Sequence, residues 1–346
     1  MKSLPNLNYL SEYIAHSQDE WGGIPSEREK ILDPWDHIEC CMALDVCGKK
    51  ESSSLGFQWL IDHQEDDGSW YSEYQANKNI SARKESNFSS YIAVGALHNY
   101  ESYGDLKFLE NLFPTLEKSL RFTLSAQSDL GEFSWAMENG RWLDDALKTG
   151  NSSIYMSLKA YKKIFDLLGQ NSDEIKSSLV SLKKVFLNNI SRFDRNWDSK
   201  ERYSMDWYYP ILAGIYDKSE SIKQINSQWD IFINEEFGCR CVSDRPWITV
   251  AETSELIIAL NKIDETKKAN DLFEKVSELK DPKDNLFWMG YVFDDKKFWP
   301  TEKPTWTAAA YILAANALNG FTSAGDFFKK LSTIVFLKFL KFYIFR

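Results

Sequence analysis

Two kinds of apolar segment alternate along the chain. One is apolar nearly all round a helix, as in Ile92-Ala93-Val94-Gly95-Ala96-Leu97 and Ala308-Ala309-Ala310-Tyr311-Ile312-Leu313-Ala314-Ala315. Small residues there let neighbouring helices approach on several sides, so these segments belong inside. The other kind is amphipathic with one charged face, as at residues 106–126, 172–190 and 264–279, with further stretches at 7–17, 54–64 and 219–233. Those belong outside.

The inner segments open alike, with a polar or proline cap followed by an aromatic residue in the first turn. Six such starts lie near Asp33-Pro34-Trp35-Asp36-His37, Ser86-Asn87-Phe88, Asn151-Ser152-Ser153-Ile154-Tyr155, Met205-Asp206-Trp207-Tyr208, Pro246-Trp247-Ile248-Thr249 and Pro304-Thr305-Trp306-Thr307. Alternation of six inner and six outer helices predicts an all-α fold, an (α/α)6 toroid of six helical hairpins. No segment sustains a period of two, so little strand is expected. One toroid domain is predicted over 1–330, followed by an apolar and basic tail at 331–346.

Composition narrows the partners. The 41 Lys and Arg against 51 Asp and Glu leave a net charge of -10, which disfavours nucleic acid. A mean hydropathy of -0.42 argues against a polytopic membrane protein. Cys40, Cys41, Cys47, Cys239 and Cys241 form two tight clusters, read as reduced thiols of a cytoplasmic protein. With only His16, His37, His63 and His98 beside them, no metal site is predicted. No glycine-rich phosphate loop occurs, so no cofactor is expected. In the tail, apolar residues flanked by Lys338, Lys341 and Arg346 suit peripheral contact with a membrane surface or a helix packed on the barrel. Oligomeric state is left open.

Inner helices that all begin at one end aim their first turns into one funnel. Asp33 reads as an N-cap, whereas Asp36 falls inside the first turn of the same helix, where capping no longer explains it. Asp206 sits among four aromatics, surroundings that raise a carboxyl pKa toward that of a general acid. Glu252 and Glu255 share a face of an otherwise apolar helix, with Arg245 a partner for Glu252. Asp36, Asp206 and Glu252 are the catalytic candidates. The funnel lining is assigned to Trp35, His37, Phe88, Glu138, Tyr155, Trp207, Tyr208, Trp247 and Trp306. Such aromatic walls suit isoprenoid chains and carbocations, or sugar rings.

The segment Gly56-Phe57-Gln58-Trp59-Leu60, then Gln64 and Gly68-Ser69-Trp70, resembles the QW repeat of terpene cyclases and prenyltransferase toroids. A weaker copy runs Phe122-Thr123-Leu124, Gln127, Gly131 and Trp135. This resemblance implies an isoprenoid-handling enzyme with a small-molecule or lipid-like substrate. The family's Asp-x-Asp-Asp-Thr acid is missing, since Ala251 stands where the donor belongs ahead of Glu252-Thr253, and no zinc-site motif of the protein prenyltransferases occurs. The acid is then to be sought among Asp36, Asp206 and Glu252. A second resemblance, to six-hairpin glycosidases, rests on Tyr103-Gly104-Asp105-Leu106 with Phe113-Pro114-Thr115-Leu116. It implies a carbohydrate-active enzyme using paired carboxylates. A noncatalytic binding toroid is the third reading.

Overall fold

A computed structural model describes residues 6–331. The tail at 332–346 lies outside the described residues. Inner helices are α2 (Pro34–Val46), α4 (Ser86–Ser90) continuing as α5 (Ile92–Tyr103), α7 (Lys148–Leu167), α9 (Ser204–Ala213), α11 (Val250–Lys262) and α13 (Thr305–Asn319). Outer helices are α1 (Asn8–Ser17), α3 (Lys50–Asp62), α6 (Leu106–Ser125), α8 (Asp173–Asn188), α10 (Lys218–Phe232) and α12 (Thr266–Ser277), and a short α14 (Phe327–Lys330) follows the last inner helix. Each inner helix packs on the next, α2 on α5, α5 on α7, α7 on α9, α9 on α11, α11 on α13 and α13 back on α2, which closes the ring. The (α/α)6 toroid is therefore the fold.

Sequence character explains the layering. In α13 every residue from Thr307 to Asn316 is buried, and alanines line that run. In α6 the buried Leu109, Leu112, Leu116 and Leu120 recur at helical spacing while the opposite face is charged. Asp105 caps α6 by accepting the Phe108 amide at 3.2 Å, so Tyr103-Gly104-Asp105 encodes an outer-helix start.

Connections at the two ends differ in length. Inner helices pass to outer ones through short turns, at 47–49, 104–105, 168–172, 214–217 and 263–265. The returns are long, at 18–33, 63–85, 126–147, 189–203, 233–249 and 278–304. The long returns gather at the end where the inner helices begin and build its rim. They hold the little strand there is: β1 (Tyr74–Gln75) with β2 (Lys78–Asn79), β3 (Lys84–Glu85) with β4 (Ala136–Glu138) and β5 (Arg141–Trp142), β6 (Ile233–Asn234) with β7 (Gly238–Cys239), and β8 (Trp247–Thr249) with β9 (Gly290–Val292) and β10 (Lys297–Phe298). One inner start differs from expectation: 247–249 is strand, and α11 begins only at Val250. The β-branched Ile248 and Thr249 there pair with Tyr291 and Gly290.

The QW-like segment proves to be a clamp between outer helices. Gln64 Nε2 donates to Gly68 O at 3.1 Å within its own turn and to Thr115 O of α6 at 2.9 Å. Gln127 repeats this toward Gly131 O and Ser178 O of α8, and Gln18 toward Gly22 O and Ser52 O of α3. Trp70 Nε1 closes the first copy on Leu60 O at 2.9 Å. Gly68 has φ 90°, and a Cβ there would stand 2.2 Å from Lys118 O, so the turn admits only glycine. The Gln18 copy escaped the sequence reading because its tryptophan, Trp21, stands ahead of the turn glycine Gly22, whereas Trp70 and Trp135 follow Gly68 and Gly131.

Candidate active site

At the mouth Asp33 caps α2, accepting the Asp36 amide at 2.9 Å, and its carboxyl also hydrogen-bonds that of Asp36. Asp36, in the first turn of α2, is only partly buried. Burial pushes its pKa well above the carboxylate range, and the neighbouring Asp33, Glu39 and Glu255 push the same way. One turn deeper, Glu39 Oε1 accepts from Trp35 Nε1 at 3.0 Å and from Tyr91 OH at 3.1 Å. Burial raises Glu39 to about 7 even against those two bonds. From α11, Glu255 reaches the same cluster and accepts from the Tyr208 hydroxyl. Its pKa also rises well above normal, first through burial and then through Glu39. Four carboxyl groups that cannot all ionise thus surround the funnel floor, and protons stay on the cluster.

Glu252 lies one turn before Glu255 and, unlike it, is only half-buried. The Cys241 thiol hydrogen-bonds to it, while Arg245, its expected partner, is exposed. Trp35 gives the floor an aromatic wall, with Phe88 at 5.9 Å and Tyr209 at 5.6 Å edge-on and Tyr91 tilted at 5.2 Å between centroids. On the adjoining rim Glu85 accepts from Arg83 Nε at 2.9 Å and Trp135 Nε1 at 3.1 Å. Burial raises Glu85 too. Trp247 stands partly exposed on β8, just ahead of α11, and Trp306 in the first turn of α13.

Other predicted residues go elsewhere. Asp206 accepts from the Thr149 amide at 3.2 Å and from its hydroxyl, so it ties the start of α9 to the start of α7. Burial raises its pKa, and Oδ2 is left without a hydrogen-bond partner. Trp207 turns outward, stacked on Phe232 at 5.2 Å with Nε1 donating to Gln224 O of α10. His37 commits both ring nitrogens to backbone, accepting from the Ile24 amide and bonding Gly56 O, and burial lowers its pKa to about 4. Tyr155 is buried with Lys159 Nζ 5.4 Å from its ring centre, and Glu138 lies exposed on the β4–β5 hairpin. Asp33 was legible only as a cap, and Glu39, one turn on from Asp36 in the same helix, was not among the catalytic candidates. All five cysteines are free, and burial raises the Cys239 and Cys241 thiols. Among the described residues no helix is long and apolar enough to cross a membrane.

No protein-family model matches the chain. Solved structures of similar fold include a GH63 mannosylglycerate hydrolase from Thermus thermophilus, at TM-score 0.69 and 11% identity over 89% of this chain and 99% of that one. A novel alpha-amylase from Clostridium perfringens gives TM-score 0.64 at 11% identity over 90% and 98%. At such identity these show the fold alone. A curated relative is far nearer: the MMP endo-(1,4)-3-O-methyl-alpha-D-mannosidase of Mycolicibacterium hassiacum is 36% identical over 319 residues, 92% of this chain and 88% of that protein. This overturns the isoprenoid expectation drawn from the QW-like repeat, which in this chain encodes the clamp between outer helices. The chain belongs to the family of that endo-mannosidase, on the six-hairpin glycosidase side of the toroid folds.

Proposed function

We propose that this protein hydrolyses internal α-(1,4) links in a polysaccharide of 3-O-methylmannose units, with Asp36 as general acid and Glu252 as general base. The observation that carries the roles is the difference between the two carboxyls. Asp36 keeps some exposure in the first turn of α2, yet burial together with Asp33, Glu39 and Glu255 raises its pKa and favours the protonated form that a proton donor needs near neutral pH. Glu252 stands on a different inner helix, half-exposed and outside the deepest part of the cluster.

In this mechanism Asp36 gives its proton to the glycosidic oxygen as the bond from the anomeric carbon breaks. Glu252 takes a proton from a water whose oxygen bonds to that carbon. Asp36 ends as carboxylate and Glu252 as acid, and exchange with solvent restores both. Trp35 with Phe88 offers an apolar wall to the ring and its methyl ether. The family relative supports the substrate class.

Purified protein incubated with the methylmannose polysaccharide should release reducing ends. Asp36→Asn and Glu252→Gln should each lose about 10²- to 10⁴-fold of that rate, the range for a general acid or base. Activity kept in both variants contradicts the assignment. Because the mechanism inverts, NMR of the first product should show the β-anomer.

A further inference from the structure

The rim sheet above α11 carries an aromatic feature that the mechanism does not use. Trp247 lies across β9 at Gly290, where a Cβ would stand 2.5 Å from Trp247 Nε1. The side chain missing from Gly290 is therefore what lets the indole approach the sheet this closely. Trp247 Nε1 donates to Trp299 O at 2.8 Å, and the two rings meet edge to face with centroids 5.2 Å apart. That bond satisfies the polar edge of Trp247 and leaves indole faces to solvent; Trp299 is 52% exposed. A partly exposed and an exposed indole side by side on the rim, with Tyr291 and Phe298 on the same small sheet, make an aromatic patch of the kind that binding surfaces use.

Its position is constrained by the chain. Trp247 stands five residues ahead of Glu252, and at about 3.5 Å per extended residue the two cannot be more than roughly 18 Å apart. A glycan cut internally must continue on both sides of the cleaved bond, so sugars a few rings away pass over this rim. Neutral, methylated pyranose rings present C–H-rich faces, which the negative faces of indoles attract.

We propose that Trp247 and Trp299 form a distal subsite for α-linked, 3-O-methylated mannose rings of the polysaccharide chain. The inference rests on the hydrolase reading above. Trp299 is its diagnostic residue because it lies outside the acidic funnel.

The experiment measures KM for the polysaccharide and for a short methylmannoside too small to bridge funnel and rim, in wild type, Trp299→Ala and Trp299→Phe. The ratio of the two KM values should rise at least fivefold in Trp299→Ala and stay within twofold of wild type in Trp299→Phe, which keeps an aromatic face. An unchanged ratio in Trp299→Ala, with polysaccharide cleaved normally, overturns the subsite and leaves the hydrolase reading intact. Retardation in gels containing the polysaccharide reads binding without turnover: weaker retardation of Trp299→Ala supports the subsite, and equal retardation overturns it. A wild type neither active nor retarded ends both proposals. A wild-type dimer that Trp299→Ala turns into a monomer assigns the patch to a second copy and overturns the subsite.

Discussion

Asp33 accepts the amide hydrogen of Asp36 at 2.9 Å and lies against the Asp36 carboxyl, so one residue both starts helix α2 and sets the proton affinity of its neighbour. The cap is worth about 1 kcal/mol. The electrostatic role follows from two acidic groups that cannot both ionise side by side.

Asp33→Asn keeps the cap but removes a negative neighbour, so the Asp36 pKa falls. The limb of the pH–rate profile on which the acid loses its proton should then move to lower pH, with kcat at the acid plateau changed less than tenfold. A profile superimposable on wild type contradicts the coupling.

Glu39 supplies a stability signature. Its folded pKa of about 7 lies above its ordinary 4.5, so the folded state binds more protons between those values. The resulting stabilisation is complete below 4.5 and is lost as pH rises through about 7, on the order of 3 kcal/mol. His37 works oppositely: its folded pKa is lowered from 6.5 to about 4, so stability present above 6.5 declines as pH falls toward 4. Melting curves across pH should show Glu39→Gln flattening the loss on the neutral side while leaving the acid-side loss in place.

Asp206→Asn should separate architecture from catalysis. The Thr149 contacts place Asp206 as a tie between two inner helices, so the variant should lose roughly 1 to 3 kcal/mol of stability, the cost of disturbing buried hydrogen bonds. Its kcat on the polysaccharide should stay within tenfold of wild type, measured below the melting transition. A loss as large as that of Asp36→Asn moves Asp206 into the chemistry.

Gln64→Ala removes the donor shared by Gly68 O and Thr115 O. Denaturant unfolding should show a loss of roughly 1 to 3 kcal/mol with kcat unchanged. An unaltered midpoint contradicts the clamp.

The six inner helices were legible through their polar or proline-marked starts and apolar bodies, although α7 and α11 carry no aromatic in the first turn. Asp36 and Glu252 stood out as candidates because capping does not explain carboxylates set on apolar helices. Trp207 misled because adjacent first-turn residues point to different sides of a helix, and its indole goes to Phe232 of an outer helix. Tyr155 sits about two turns into α7, deeper than the first-turn position the sequence suggested. The repeat led the sequence reading toward isoprenoid enzymes although Gln64 and Trp70 only bond backbone carbonyls that tie turn and outer helices together, which is architecture and carries no chemistry. The glutamate cluster was hidden, since Glu39 and Glu255 meet only when the ring closes.

The most direct test of the account is the chain-length distribution of the methylmannose polysaccharide followed over time with wild type and Asp36→Asn. Internal hydrolysis with Asp36 as acid predicts an early fall in mean chain length with wild type and about 10²- to 10⁴-fold slower change with the variant. A distribution that wild type leaves unchanged, or that Asp36→Asn shortens equally fast, contradicts it.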